Sequence, residues 1–130
     1  MKDEISRLIQ QINKTNHWIP KKIFLQFNES HYRALFSGYQ PHWDMRYGIY
    51  FEEGYFYNYR SGWIVGKFKV EKIEDDLYQV TELYDNPEKS DCNVVFDSLK
   101  EACNQNHVRL DLDLLSSMFK RTFEMQEENQ

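Results

Sequence analysis

Four histidines and two cysteines are the residues of this chain best suited to metal binding or nucleophilic chemistry. His17, His31, His42 and His107 never lie three or four residues from one another, and none begins an H-x-x-E arrangement, so no helix face gathers them as ligands. Cys92 and Cys103 have ten residues between them, which matches no zinc or redox motif. Two reduced, structural thiols are expected, with Cys103 a small core residue beside Leu99. No metal and no cofactor follow from these spacings. A pocket holding Cys103, His107 or His42 beside carboxylates is what an enzymatic or small-ligand reading requires.

Other chemistries fail on context. Gly62-Trp63-Ile64-Val65-Gly66 lacks the strand-to-helix setting, third glycine and lysine of a phosphate loop. Gly62 suits a turn, and Gly66 inside a strand marks a bulge or a close contact. Glu52-Glu53 and Asp75-Asp76 fall at expected hairpin turns, whereas acid–base catalysis needs carboxylates in a cleft. Asp75, Asp85 and Asp91 lack the fixed spacing of a calcium loop.

Two features favour binding. Residues 1–73 hold eleven Lys/Arg against seven Asp/Glu, a balance of +4; residues 74–130 hold five against fourteen, a balance of −9. The acidic half repels nucleic acid and speeds the encounter with a basic partner. Nine aromatic residues also crowd the stretch from Trp43 to Trp63. If Phe56 is core, Tyr55, Tyr57 and Tyr59 point the other way as an outward stripe, suited to recognition by large rings of low entropy cost or to cross-strand pairing within the sheet. Such a face, with Arg46, Arg60, Lys67 and Lys69 near it, is also the surface on which single-stranded nucleic acid stacks, but the acidic half makes that partner the lesser reading.

The elements that position these residues follow from periodicity. Ile5, Leu8, Ile9 and Ile12 form the stripe of an amphipathic helix. Trp18-Ile19-Pro20 is extended, and Ile23 to Phe27 is expected as a first strand with Ile23, Leu25 and Phe27 on one face. Asn28 caps a short helix through His31–Phe36, closed by Gly38. Strands then follow at Trp43–Phe51, Tyr55–Arg60, Trp63–Ile73 and Leu77–Tyr84, joined by turns at Glu53-Gly54, Ser61-Gly62 and Glu74-Asp75-Asp76. Ile64, Phe68 and Val70 are expected to share one face. Val94-Val95-Phe96 leads into Ser98-Leu99-Lys100-Glu101, a capping box that opens a helix to about Asn106. Asp111 or Asp113 starts a last helix with Leu112, Leu115, Phe119 and Phe123 lining one side and Met118 beside them. The expected fold is one α+β domain over 1–130: a four-stranded, possibly five-stranded, antiparallel meander packed against N-terminal and C-terminal helices. Acids near the N-terminus and the want of an apolar run of ~18 residues argue for a cytoplasmic chain without a signal peptide or membrane span.

Three segments, Trp63-Ile64-Val65-Gly66-Lys67-Phe68, Tyr78 through Pro87, and Phe96-Asp97-Ser98-Leu99-Lys100-Glu101-Ala102, resemble in arrangement small bacterial immunity proteins. These guard a cell against its own polymorphic or contact-dependent growth-inhibition toxins. The resemblance implies a cytoplasmic, non-enzymatic protein that masks the active site of a toxin domain, often a basic nuclease. Under that expectation Glu74, Asp75, Asp76, Glu82, Asp85, Glu88 and Asp91 complement the basic toxin, and Tyr55, Tyr57 and Tyr59 anchor it.

Overall fold

A computed structural model describes residues 2–15, 18–37, 47–60, 63–88 and 94–127. The order is α1 (Lys2–Thr15), β1 (Ile19–Lys21), β2 (Gln26–Phe27), α2 (Glu29–Ser37), β3 (Tyr47–Glu52), β4 (Tyr55–Arg60), β5 (Trp63–Glu74), β6 (Leu77–Asp85), α3 (Val94–Gln105) and α4 (Leu112–Glu127). The expected Gly38 cap, residues 43–46 of the first long strand, the Ser61-Gly62 turn, His17, His42, Asp91 and Cys92 lie outside the described residues.

The α+β reading holds. Strands β3 to β6 form the four-stranded antiparallel meander, and β1 and β2 both add to the free edge of β6, giving an open six-stranded sheet. Glu53 and Gly54 take φ of 52° and 89°, the paired left-handed residues of a two-residue hairpin whose twist matches the strands it joins. The first strand is shorter than expected. Its main chain turns to α4 instead: Thr122 Oγ1 accepts from Phe24 N at 2.8 Å and donates to Phe24 O at 3.1 Å, and Met118 Sδ accepts from Gln26 N at 3.3 Å. Ile23, Leu25 and Phe27 are nonetheless buried together.

Two bulges set which side chains face which layer. Asn58 pairs with Gly66 but Tyr59 with Ile64, leaving Val65 as the extra residue on β5. The extra residue flips the alternation, so Ile64 faces away from Phe68 and Val70, correcting the expectation that the three share a face. Gly66 beside it fits a close approach: a Cβ there would crowd Tyr84 O at 3.0 Å. On β6 the pairings Lys69↔Glu82 and Val70↔Val80 skip Thr81, the second bulge.

The sheet thus has two unlike faces. On the helical face, Ile49, Phe56, Phe68, Tyr78, Val80 and Leu83 pack under α2, α3 and α4. On the tyrosine face, α1 lays Ile5 and Ile9 over Tyr57 and Ile64, with Trp18, Tyr50, Tyr55 and Tyr59 around them.

Two helix expectations are corrected. Val94–Phe96 is already helical, because Val95, Leu99, Ala102 and Cys103 bury one helical stripe. Ser98 is therefore no cap; buried in the helix, it accepts from Asn58 Nδ2 at 2.6 Å. In α4 the inward residues are Leu115, Met118 and Thr122, while Leu112, Phe119 and Phe123 are exposed. Thr122 and Met118 turn the helix that way by satisfying the main chain of Phe24 and Gln26. Asp111 caps α4, accepting from Leu114 N at 3.0 Å, and Asn28 caps α2 through His31 N.

Candidate functional site

The predicted residues fall into two neighbouring groups and a remainder. The first is the β5–β6 hairpin tip, where every residue from Glu71 to Asp76 is exposed. Ile73, 51% exposed, bulges out where the pairing steps from Lys72↔Tyr78 to Glu74↔Leu77. It stands among Glu71, Glu74, Asp75 and Asp76. Lys72 pairs with Asp75 at 3.6 Å, both well exposed, so that contact leaves most of the acidic charge uncompensated. Asp76 is held differently: its backbone is left-handed (φ 56°), and its Oδ1 accepts from Glu29 N at 3.0 Å, fastening the tip to the start of α2.

The second group lies on the tyrosine face beyond α1. Register sets Lys67 between Tyr57 and Tyr84, and Lys69 opposite Glu82. Lys67 Nζ sits 4.5 Å from the ring centroid of Tyr55, 5.0 Å from Trp18, 5.4 Å from Tyr84 and 6.0 Å from Tyr57. Desolvation pulls its pKa down; the nearby Glu82 charge opposes that, as do the negative ring faces. Glu82 Oε1 accepts from Tyr84 OH at 2.8 Å and Tyr55 OH at 3.0 Å, and Lys69 stands 3.8 Å from the other oxygen. The phenol hydrogen bonds hold the Glu82 carboxyl below its usual range, with the two lysines adding to them. Burial and the same carboxylate push Tyr55 up to about 12. The hydrogen bond to Glu82, with burial behind it, raises Tyr84.

Of the remaining predicted residues, burial takes Tyr57 and Asp85 off the open surface, while Tyr59 and Glu88 stay partly or fully exposed. Tyr57 points away from Phe56 as expected but is 1% exposed, because α1 covers it and Asn13 Nδ2 donates to its hydroxyl at 2.8 Å. It cannot anchor a partner, and Tyr59 is half-buried beside Tyr50. Asp85 is 3% exposed and so does not contribute to an open acidic surface. Glu88 is exposed, at the edge of a groove of about 260 Å³ between α1 and Trp63, away from the hairpin tip.

Sequence reasoning placed Lys67 and Lys69 near the aromatic face only as basic residues for the lesser nucleic-acid reading, and it missed Tyr84. The signal for all three was the alternation of β5 and β6, which sets Lys67 and Lys69 on the face opposite Phe68.

Of the residues named for an enzymatic pocket, Cys103 and His107 take structural places, and His42 lies outside the described residues. Cys103 is buried at 1% exposure, where desolvation pushes its thiol up to about 11. His107 is the left-handed residue that ends α3, followed by a bond from Val108 N to Cys103 O at 2.8 Å. His31 joins two segments, its Nε2 against Arg109 O at 2.8 Å. Among the described residues no three His, Cys, Asp or Glu converge as metal ligands, and no helix is long and apolar enough to cross a membrane. Comparison with protein-family models, with characterised proteins and with solved structures finds no match to this chain.

Proposed function

We propose that the chain is a cytoplasmic immunity protein that neutralises a basic toxin domain by binding over its active site, with the β5–β6 hairpin tip as the docking element. The observation that carries this reading is Ile73, an aliphatic side chain exposed amid Glu71, Glu74, Asp75 and Asp76. An apolar anchor on a tip of net negative charge suits a partner whose basic surface surrounds an apolar pocket: the charges steer the encounter and the anchor holds the complex. Further along β4, β5 and β6, Tyr55, Lys69 and Glu82 supply polar groups already fixed by the Tyr55–Glu82 hydrogen bond and the Lys69–Glu82 ion pair.

The test expresses, in a bacterial host with and without this protein, the basic toxin domain that this reading expects in the neighbouring gene. Wild type restores growth. In a binding measurement on the purified pair, Asp75→Lys slows association several-fold at low salt, an effect that fades as salt screens the charges, whereas Ile73→Ala mainly speeds dissociation. Unchanged association at low salt removes the hairpin from the interface, and failure of the wild type to restore growth removes the immunity reading itself.

A further inference from the structure

The exposed side of α4 carries a second surface that shares no residue with the hairpin tip. Leu112, Phe119 and Phe123 are 57%, 37% and 54% exposed, and Ser116 lies between the first two. Their spacing, 112-116-119-123, steps by four, three and four residues, the seam of a two-helix coiled coil. Phe119 stands edge-on to Phe96 of α3 at 5.2 Å between ring centroids, and the two helices border a groove of about 300 Å³ there.

We propose that two copies of this chain associate through this seam, α4 packed antiparallel on α4 about a two-fold axis near Ser116. Charge and size favour a second copy in this orientation. Asp113 and Lys120 occupy equivalent places on the same flank, one heptad apart and so about 10 Å along the axis, beyond ion-pair reach. Neither has an ion-pair partner among the described residues. Antiparallel packing sets that flank against its own copy in reverse, so Asp113 meets Lys120 of the partner subunit at both ends. Ser116, the small residue at the crossing, lets the helices approach, and each Phe119 drops between Leu112 and Ser116 of the facing helix. A parallel pairing sets the charged flank instead against Leu115 and Thr122, which are buried in their own core.

Sedimentation of the full chain over a roughly hundredfold concentration range tests this. Wild type moves from monomer to dimer, and Phe123→Glu stays monomeric. Lys120→Asp alone and Asp113→Lys alone each weaken association by about tenfold, since each homodimer then meets like charges twice. An equimolar mixture of those two variants recovers association, because each supplies the sign the other needs. Circular dichroism of every variant separates loss of pairing from loss of fold. A wild type monomeric throughout overturns the proposal and leaves the seam to another occupant. A dimer indifferent to Phe123→Glu, or a mixture that does not recover, overturns it as well.

Discussion

The two faces of the sheet use the same strands to opposite ends. On β4, Phe56 faces the helices while Tyr55, Tyr57 and Tyr59 face α1. Phe56 stacks on Phe68 at 5.2 Å between centroids and meets Phe51 and Tyr32 edge-on, inside an apolar layer closed by three helices. The tyrosine face has a smaller buried centre, and its rings carry hydroxyls that must find partners when covered. Asn13 serves one, and also accepts from Trp18 Nε1 at 3.0 Å; Glu82 serves two more. Helix α1 is further tied by Ser6 donating to Glu52. One face is held by dispersion and burial, the other by a thin apolar centre stitched with polar bonds.

The largest expected effect breaks the helical face. Phe56→Ala costs about 3–5 kcal/mol, through lost burial and the cavity left among rigid neighbours. Ile9→Ala on the tyrosine face lies in the lower half of the ~2–5 kcal/mol usual for such truncations, because α1 can settle onto Tyr57. Urea denaturation gives both values, and hydrogen exchange sharpens the comparison: Phe56→Ala lowers protection throughout the sheet, whereas Ile9→Ala lowers it first in α1. Equal loss of protection everywhere in both variants would make the faces a single cooperative unit.

A smaller effect separates the faces by pH. Glu82 is depressed in the folded protein, so its contribution is present above the unfolded carboxylate value of about 4.3 and is lost as pH falls through the folded value. Tyr55 is raised to about 12, so its contribution is complete below its unfolded value near 10 and is lost as pH rises through about 12. The stability gap between wild type and Glu82→Gln is therefore flat through neutral pH and closes in both acid and alkali. The gap for Phe56→Ala stays flat through acid. A tyrosinate titration followed by ultraviolet absorbance locates the late phenol, which Tyr55→Phe removes.

What the sequence disclosed, and what it withheld, follows the same division. Local signals carried the hairpin at Glu53-Gly54, strand β4 in full, and the caps at Asn28 and Asp111. The stripe on α1 was visible too, but not where it docks, so Tyr57 read as an outward ring when it is among the most buried. The bulge at Val65 left no mark except Gly66, and one extra residue moved Ile64 to the other face. Val94-Val95-Phe96 is expected to lead into the helix because Ser98 and Glu101 fit a capping box; the helical stripe Val95, Leu99, Ala102 and Cys103 was in the sequence and outweighs that local signal. The cage around Lys67 joins Trp18, Tyr55, Tyr57 and Tyr84, which only cross-strand register and the path after α1 bring together. Thr122 gave no sign of its hold on Phe24, 98 positions away.

The smallest effects on stability belong to the hairpin tip, and they divide two adjacent aspartates. Asp75 is fully exposed and, among the described residues, its ion pair is with Lys72 alone, so Asp75→Lys leaves stability close to wild type. Asp76 adopts the left-handed backbone that Asn and Asp tolerate best, and its carboxylate serves an otherwise unpaired amide at the start of α2. Asp76→Asn keeps the backbone preference and an accepting oxygen, and stays close to wild type; Asp76→Ala loses both and costs about 1 kcal/mol. Thermal melts of the three variants rank them Asp75→Lys and Asp76→Asn together, with Asp76→Ala below. Because Asp75→Lys leaves the fold intact while reversing a charge at the tip, any slowing of partner association it causes reports steering and not misfolding. A melt of Asp75→Lys as low as that of Asp76→Ala would mean that the tip is part of the structural frame, and would remove it as a freely presented docking element.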